Sequence, residues 1–500
     1  MNNRLGHNVE QIQQQMADWQ LGLLDEAGVF LPAPVSFTPW QLTSSAWSQA
    51  LEIAAGLTEL LQKLTAKPQL FADACAGLLR SHSVPGELTR RLSASGYFAG
   101  TRLQSTAVSL MRHDLLLEPQ GQWRWVESNS IAAGMGPLNQ RWLQLAQQLL
   151  PDTTANAAAN PAAERQGALL AAAAWRQARR RQAACHYDEH HHERHPATPE
   201  QAATLVFVVT ADEDNLYDQQ LLASAIAAHG VTVRRLTCAE LLSCQLDAFK
   251  RLRHPDGSVL DLLYWRTGYN PGDYPQPSAQ PLWQWRQQLE NADVAQCPTM
   301  ALQLVSSKYV QAWLSQQLLD KALRAQLAQQ LGIAASRLEL LAAACVPQRL
   351  VQQLDTATLA ELLAAGWWYK RQDEGGGNVA QGDDALRWAA QADAADLLMA
   401  PIHSVQRQSP QRWLRHGQWH EPSAVISELG IFSASPGLDA AGVAAELPAM
   451  QPTVQPAIQP KMQQAVASYA GYLLRSKPAM QLEGGVHRGG AVLDLVVIGE

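Results

Sequence analysis

The sequence lacks any long uninterrupted run of apolar residues, and its first twenty residues contain no apolar core of the kind that a signal peptide carries. Because a membrane span needs roughly 18 or more consecutive apolar residues, we expect no membrane partner. Closely spaced cysteine pairs are absent too, since the six cysteines are scattered without Cys-x-x-Cys spacing. This pattern favours reduced thiols in a cytoplasm over a disulfide framework or a zinc site.

A strong net charge is also missing. The formal charge is −7 over 500 residues, which gives no electrostatic reason to expect a nucleic-acid partner. The motifs GxxxxGK(S/T) and GxSxG do not occur in the sequence, so neither a P-loop kinase nor a serine hydrolase is supported. Apolar residues make up 47% of the chain. This is ample for a large core, and the length suggests about two to four subdomains.

The richest stretch of chemistry lies in residues 367–384. Three aromatic residues, which indicate the end of a buried strand, precede Lys370, and a polar run then leads to Glu374 and three consecutive glycines. Glycine permits positive φ, so several backbone N–H groups can turn toward one anion. Lys370 adds a point charge, and Glu374 adds a hard oxygen ligand of the kind that Mg²⁺ prefers. A plain surface turn is the alternative, because short glycine runs are commonest in such loops.

Two further patterns bring polar residues to the ends of strands. Short apolar runs on either side of Gly121 predict a β-hairpin whose second strand ends with Glu127 and Asn129 on one face. A carboxylate and an amide placed together can hold Mg²⁺ and a phosphate, although an ordinary strand exit has the same residues. The hairpin also places Arg112 on the preceding strand.

From residue 204 the pattern becomes α/β, with a predicted strand at 205–209, a helix at 218–229 and a strand at 231–236. Such a unit is right-handed and places ligands at the carboxyl ends of its strands. We therefore expect Asn215 and Gln219, one helical turn apart, to face a crevice. A later strand delivers Arg266 and Tyr269 to the same place, although a single arginine at a strand end is more often part of a surface ion pair.

Eight segments carry a family resemblance. In chain order they are VESNSI, DEDNLYDQ, YWRTGY, LQLVSSKYVQ, KRQDEGGGN, SELGIF, LLRSK and EGGVHRGGAVLD. The same kinds of segment occur in the same order in the eukaryotic-type glutathione synthetases of the ATP-grasp superfamily, which the sequence resembles from about residue 111 to 494. The resemblance implies an α/β protein with an ATP-grasp fold, an inserted α/β substrate-binding domain and a mobile glycine-rich lid.

The resemblance also implies a division of the chain and an activity. Residues 1–203 would form a helical amino-terminal part with the first strands of the ATP-grasp body, 204–302 the substrate-binding domain, and 303–500 the nucleotide-binding part with the lid. The implied enzyme is a cytoplasmic homodimer that uses ATP as cosubstrate, with two Mg²⁺ per site, to join γ-glutamylcysteine to glycine. Such a ligase phosphorylates a carboxylate and needs cations and metal ligands rather than a nucleophilic side chain.

Site residues carry over from the family position by position. The implied metal ligands are Glu127, Asn129 and Glu374, and the implied catalytic cations are Lys308, Lys370 and Arg475. The implied ATP-binding residues are Lys308, Lys370, Gly375, Gly376, Gly377, Asn378, Met399, Ile402, Glu428 and Lys477. The implied substrate-binding residues are Arg112, Glu213, Asn215, Gln219, Arg266, Tyr269, Arg475, Val486 and His487.

The chain departs from the family pattern at four places, one of which is an excursion at residues 433–468 that is longer and richer in Ala, Pro and Gln than the family has. Ala400 and Pro401 replace a charged pair after Met399, and Pro401 has no N–H to offer adenine. His487 and Arg488 stand where the lid has small residues, and Ala132 and Gly134 replace small serines after the metal-binding strand. These last two changes leave open a ligase with a different amine acceptor. A non-catalytic homologue that binds nucleotide or metal is the other alternative.

A histidine-rich tract at residues 185–196 is not needed by the family. Five histidines, with Cys185, Asp188 and Glu189, have the composition of a transition-metal site. The alternative is an exposed polar connector between subdomains, which we favour because nothing in the sequence fixes the geometry of adjacent histidines.

Overall fold

The computed structural model describes residues 8–25, 27–186, 202–274, 278–374, 377–408, 410–434, 468–481, 484–486 and 490–499, without the side chains of 183–186. Its helices are α1 Val9–Asp18, α2 Ser44–Thr65, α3 Pro68–Cys75, α4 Val84–Ala94, α5 Gly136–Leu149, α6 Ala162–His186, α7 Leu216–Ala227, α8 Cys238–Leu241, α9 Gln280–Leu289, α10 Met300–Val305, α11 Lys308–Leu319, α12 Lys321–Leu331, α13 Ala335–Ala344, α14 Thr356–Ala364 and α15 Gly382–Ala389. Within these described ranges, no helix combines the length and the apolarity that crossing a bilayer demands.

The strands are short except at the centre of the molecule. They are β1 Gly22–Leu24, β2 Phe30–Pro32, β3 Val35–Ser36, β4 Trp40–Thr43, β5 Thr106–Ala107, β6 Leu110–Leu117, β7 Trp123–Asn129, β8 Thr204–Val209, β9 Thr232–Thr237, β10 Gln245–Leu246, β11 Leu252–Arg253, β12 Leu262–Trp265, β13 Ala295–Cys297, β14 Gln348–Leu350, β15 Trp368–Lys370, β16 Val379–Ala380, β17 Leu397–Met399, β18 Gln406–Gln408, β19 Trp413–Arg415, β20 Gln418–His420, β21 Ala424–Ala434, β22 Tyr469–Pro478, β23 Val492–Asp494 and β24 Val496–Gly499.

A nine-stranded sheet forms the centre. Eight of its strands follow the order β20-β19-β3-β23-β22-β21-β6-β7, and the ninth, β18, pairs with the first residues of β21. The predicted hairpin is confirmed as β6 and β7, and Gly121 turns the chain between them with a φ of 80°. The register sets Asp114 opposite Glu127 on one side and opposite Gly430 on the other. Glu428 lies opposite Arg475 in the neighbouring pair of strands. Charged residues from four adjacent strands therefore meet in one region of the sheet.

A five-stranded parallel sheet lies beside it, with the order β5-β13-β12-β8-β9. The predicted strand, helix and strand from residue 204 are confirmed as β8, α7 and β9. β12 ends at Trp265, so Arg266 leaves the sheet at the carboxyl end of a buried strand. The edge strand β5 comes from residues before 204, and α6 packs against α7 and β8. This sheet thus includes a strand from outside residues 204–302.

A small antiparallel sheet, β14-β17-β15-β16, carries the glycine-rich stretch. Lys370 is the last residue of β15, as the aromatic run predicts, and Met399 is the last residue of β17. The apolar pattern of residues 338–361 predicts only helices, which form as α13 and α14. The structure adds β14 between them, because the segment after Pro347 pairs with Leu397–Met399.

The prediction of a largely helical amino-terminal part is corrected for residues 22–43, which form short strands. α2, α3 and α4 form, but β1 to β4 precede them as strands of two to four residues. Strands this short show no usable period in the sequence. β3 pairs with β23 and β19, and β4 runs parallel to β24. The two ends of the chain therefore build sheets together.

His113 on β6 is buried beneath the charged region. One ring nitrogen, Nε2, lies 2.8 Å from Thr58 Oγ1, and the other, Nδ1, lies 2.7 Å from Ser128 Oγ. Burial, helped by the charge of Arg112, lowers the pKa of His113 from its ordinary value of 6.5 to about 3. The fold therefore favours the neutral form of the His113 imidazole ring.

This histidine is expected to make the protein acid-sensitive. Because its pKa is lower in the folded state, the unfolded chain takes up the proton first, so the stabilisation is complete above pH 6.5 and is lost as the pH falls toward 3. The free energy of unfolding should fall by about 1.4 kcal/mol per pH unit from this group alone. Urea unfolding of the wild type and His113→Gln at pH 7, 6 and 5 measures the difference. Equal slopes in the two proteins would contradict this account.

Candidate active site

One cavity of about 480 Å³ opens where the three larger sheets meet. This size is within the usual range for sites that bind small molecules. Most of the predicted site residues line it, namely Arg112, Glu127, Asn129, Glu213, Asn215, Arg266, Tyr269, Lys308, Lys370, Glu374, Asn378, Met399, Ile402, Glu428, Arg475, Lys477 and Val486. Residues far apart in the sequence are thus brought to one surface.

Gln219 does not line the cavity, so the prediction that Asn215 and Gln219 face the same crevice is wrong for Gln219. The helix begins at Leu216 with Asn215 as its N-cap, so Asn215 does not have the helical geometry that would align the two side chains. Gln219 is 1% exposed, and its Oε1 accepts a hydrogen bond of 2.6 Å from Arg235 on β9. Gln219 therefore points to the next strand and not into the cavity.

Some predicted residues are not placed at the cavity for other reasons. Gly377 is described, with a φ of 75°, but is not among the residues that line the cavity. Gly375, Gly376 and His487 lie outside the described residues, as do Arg488 and the histidine-rich tract from residue 187 onward.

Two lysines and two glutamates form the centre of the site. Lys308 is the first residue of α11, whose N-cap is Ser307, yet it is only 5% exposed. Its Nζ donates to Glu374 Oε1 at 2.5 Å and to the carbonyl of Asp373 at 3.0 Å. Lysines at helix starts are usually solvated, so this burial next to an acid is a feature of the tertiary structure.

The charged groups at this centre shift one another's pKa values, some upward and some downward. Burial and the neighbouring charge of Glu127 raise the pKa of Glu374, although Lys308 opposes this. Burial would also raise the pKa of Glu127, but Lys308, Lys370, Arg475 and Arg112 together hold it well below its usual value. Burial and repulsion from Lys308 lower the pKa of Lys370. Glu127 is therefore a firmly ionised carboxylate within a group of cations.

The oxygen atoms of these side chains suit a divalent cation that phosphate also coordinates. Glu127 and Glu374 offer carboxylate oxygens, and Asn129 uses its Nδ2 to donate to Asp114 at 3.2 Å, which turns its amide oxygen outward from that contact. Among the described residues, no group of three or more His, Cys, Asp or Glu side chains converges on one point. Mg²⁺ needs no such cage, because it is commonly held by one or two carboxylates, waters and substrate phosphates. These residues therefore fit Mg²⁺ bound together with a polyphosphate.

Asp114 is a site residue that the sequence interpretation missed. It is fully buried and accepts two hydrogen bonds from Arg112, at 2.7 and 2.8 Å, and one from Arg475 at 3.1 Å. Together with the bond from Asn129, this places one carboxylate beneath two arginines and an amide of the cavity wall. Arg112 and Asp114 stand two apart on one strand and so share a face, which was the signal available in the sequence.

Arg475 also pairs with a second acid. Its guanidinium contacts Glu428, the residue opposite it on β21. Burial disfavours the charged form, but Glu428 and Asp114 together raise the pKa of Arg475. The arginine is thus held in place and charged at one side of the cavity.

The wall built by the parallel sheet is polar and tightly packed. Arg266 is 6% exposed and lies 4.0 Å from Asp218, whose carboxylate accepts the backbone N–H groups of Met135 and Leu138. Asn215 Oδ1 and Arg266 Nε are buried without a hydrogen-bond partner in the part of the chain that the structure describes.

A side chain at Gly134 would crowd two polar residues of this wall. A Cβ atom there would lie 2.5 Å from Nη2 of Arg266 and 3.0 Å from Nδ2 of Asn215. With Arg266 in this position, a serine at residue 134 would contact its guanidinium too closely.

The segment after Met399 has its own departure from the family pattern. The N–H of Ala400 donates to the carbonyl of Pro347 at 2.9 Å, so it is used within the small sheet. Pro401 has no N–H to donate. Ile402, which lines the cavity, is therefore the next residue in this segment that has a backbone donor.

Comparisons with known proteins identify the family of the chain. The model of the family described as eukaryotic glutathione synthase, ATP binding domain, matches residues 9–498. The chain is 27% identical to the chloroplastic glutathione synthetase of Solanum lycopersicum over 93% of this chain and 78% of that protein. It is 29% identical to the glutathione synthetase of Homo sapiens over 58% of this chain and 56% of that protein.

A solved structure shows the same fold. It is a glutathione synthetase-like effector from Globodera pallida in its apo form, with a TM-score of 0.60 at 12% identity, covering 99% of this chain and 98% of that one. At this identity the likeness supports the fold and nothing further. The family match over almost the whole length shows that this chain belongs to the eukaryotic glutathione synthase family.

Proposed function

We propose that this protein is an ATP-dependent glutathione synthase that joins γ-glutamylcysteine to glycine. The observation that carries the proposal is that Glu127, Glu374, Lys308 and Lys370 meet in one cavity. Two carboxylates among buried lysines suit the binding of a metal-bound triphosphate. Relatives from plants and animals that bear the name glutathione synthetase support the same activity.

The chemistry that fits this cavity is phosphoryl transfer to a carboxylate. In this scheme an oxygen of the dipeptide's terminal carboxylate attacks the γ-phosphorus of ATP, and ADP leaves. The glycine amine then attacks the acyl carbon of the acyl phosphate, loses a proton, and displaces phosphate to form the peptide bond. Bound Mg²⁺, which we propose as two ions held by Glu127, Asn129 and Glu374, would neutralise phosphate charge.

The side chains of the cavity have distinct roles in this scheme. Lys308, Lys370 and Arg475 stabilise the charge that develops on the transferred phosphoryl group. Arg112 is the proposed partner of the dipeptide's carboxylate, through the guanidinium donors that Asp114 does not occupy. The proposed dipeptide contacts at the other wall are Glu213, Asn215, Arg266 and Tyr269. Met399, Ile402, Glu428, Lys477 and Asn378 are the proposed described contacts of ATP.

The organisation of the protein is also a proposal. It comprises the ATP-grasp body, the substrate-binding domain at 204–302, and a lid around residues 484–490 that contributes Val486 to the cavity wall. We further propose a homodimer in the cytoplasm. Five cysteines are buried as free thiols, which agrees with a reducing compartment. The plant relatives are named chloroplastic.

Phosphate release with a panel of amine acceptors tests the activity. With ATP, Mg²⁺ and γ-glutamylcysteine, glycine should give the highest kcat/KM. Alanine, which adds one methyl group, should be slower by about 10- to 200-fold. Reactions without γ-glutamylcysteine provide the control for plain ATP hydrolysis.

Two other outcomes would replace the proposal. Faster release with a different amine would show a ligase with another acceptor, which the changes at Ala132 and Gly134 in the wall make worth testing. Tight nucleotide binding without turnover for any acceptor would show a non-catalytic homologue.

A further inference from the structure

The loop that leaves β12 is fixed by an unusual number of backbone contacts. Oδ2 of Asp273 accepts the N–H groups of Gly268, Tyr269 and Asn270, at 2.9, 2.9 and 3.0 Å. The carbonyl of Gly268 in turn accepts hydrogen bonds from Arg286 at 3.2 Å and from Gln303 at 2.9 Å. This loop, which we call the substrate loop (residues 266–273), therefore behaves as a rigid unit that presents Arg266 and Tyr269 to the cavity.

The segment before the three glycines is also anchored, but by other elements. Gln372 accepts the N–H of Tyr309 at 3.0 Å and donates to the carbonyl of Ala395 at 2.8 Å. Lys308 holds the carbonyl of Asp373. Glu374 comes next, and its carbonyl accepts a hydrogen bond of 3.2 Å from the side chain of Asn378.

One side chain joins the substrate loop to Glu374. The backbone N–H of Glu374 donates to Oδ1 of Asn270 at 3.1 Å, across a separation of 104 residues. The backbone carbonyl of Asn270 accepts the N–H of Asp273 at 3.1 Å, so Asn270 itself is held within the substrate loop. Asn270 thus sits between the part of the wall that holds Arg266 and the residue that carries a central carboxylate.

We infer that Asn270 is a positioning residue that couples binding of the dipeptide at the substrate loop to binding of the metal-bound nucleotide at Glu374. This inference rests on the proposed function. A dipeptide that contacts Arg266 and Tyr269 shifts the substrate loop as one body, and Oδ1 of Asn270 passes that shift to the backbone of Glu374. The new position of Glu374 then favours both ligands, so each tightens the binding of the other by the same factor.

Nucleotide titrations with and without the dipeptide test this coupling. The dissociation constant of Mg²⁺ with a non-hydrolysable ATP analogue is measured by calorimetry in the absence and presence of saturating γ-glutamylcysteine. The ratio of the two constants should be at least about 5 in the wild type. Asn270→Ala should reduce that ratio by roughly 5-fold, as expected for the loss of one hydrogen bond.

Matched variants separate coupling from a general structural role. Asn270→Asp keeps an acceptor of the same shape and should retain most of the ratio, whereas Asn270→Leu keeps the size without an acceptor and should lose it. Asn270→Leu also provides the measurement if Asn270→Ala does not fold. Gln381→Ala removes a hydrogen bond of 2.9 Å to Gly366 next to the same small sheet and should behave as the wild type.

The outcomes that would overturn the inference are distinct from those that would overturn the proposed function. If Asn270→Ala weakens nucleotide binding equally with and without dipeptide, the ratio is unchanged and Asn270 has only a structural role. A wild-type ratio near 1 would also refute the coupling. Conversely, a ratio that depends on Asn270 in a protein that makes no glutathione from γ-glutamylcysteine and glycine would refute the proposed function alone.

Discussion

Replacing Glu127 by Gln is expected to reduce kcat on the order of 10³-fold, the loss seen when one strongly placed electrostatic group is removed from an active site. The exchange keeps the size of the side chain and removes its charge. In the wild type Glu127 is ionised, because the surrounding lysines and arginines hold its pKa well below the usual value. Without this charge, the cations would repel one another and the metal would lose a ligand.

Steady-state phosphate release with ATP, γ-glutamylcysteine and glycine measures this effect. Glu118→Gln is the matched control, because Glu118 lies on the other end of the same hairpin and pairs with Arg124 at 2.8 Å outside the cavity. The control should retain kcat within about 2-fold, because Glu118 does not line the cavity. If Glu127→Gln turned over at the wild-type rate, Glu127 would have no part in the reaction.

Asp114→Asn is expected to lower the free energy of unfolding by about 3–5 kcal/mol, because it leaves two buried arginines without their shared carboxylate. Asp114 is fully buried and makes a two-point contact with Arg112 and a further contact with Arg475. We also expect the KM for γ-glutamylcysteine to rise more than kcat falls, since these arginines are proposed to bind ground-state substrate as well. Urea unfolding and initial rates measure the two effects.

Asp384→Asn is the control for the exchange of an aspartate that pairs with an arginine. Asp384 pairs with Arg387 on the surface of α15, and its side chain is 64% exposed. The expected change in unfolding free energy is below about 0.5 kcal/mol. A loss of similar size in both variants would mean that Asp114 does not stabilise the arginines of the cavity.

Much of the framework was determined by local sequence. The hairpin of β6 and β7, the unit β8-α7-β9 and the delivery of Lys370 by β15 all formed where apolar periodicity and turn residues predict them. Gly332 ends α12 with a φ of 60°, as a glycine after a helical pattern indicates. These features depend on residues within a few positions of one another, so the sequence alone specifies them.

The arrangement of the site depends instead on contacts between distant segments. The sequence places Lys308 at a helix start, but only packing against the glycine-rich segment buries it beside Glu374. Gln219 lies one turn after Asn215 in the sequence, and the start of α7 and the position of Arg235 turn it away from the cavity.

The sequence by itself determined the local elements and the chemical types available to the site. The tertiary structure decided that Asp114 would hold Arg475 as well as its neighbour Arg112 and that Asn270 would reach Glu374. Both depend on which strands and loops become neighbours across 100 residues or more of sequence. Local propensity carries no information about such pairings, because they are fixed by sheet register and by the burial of charge against its partner.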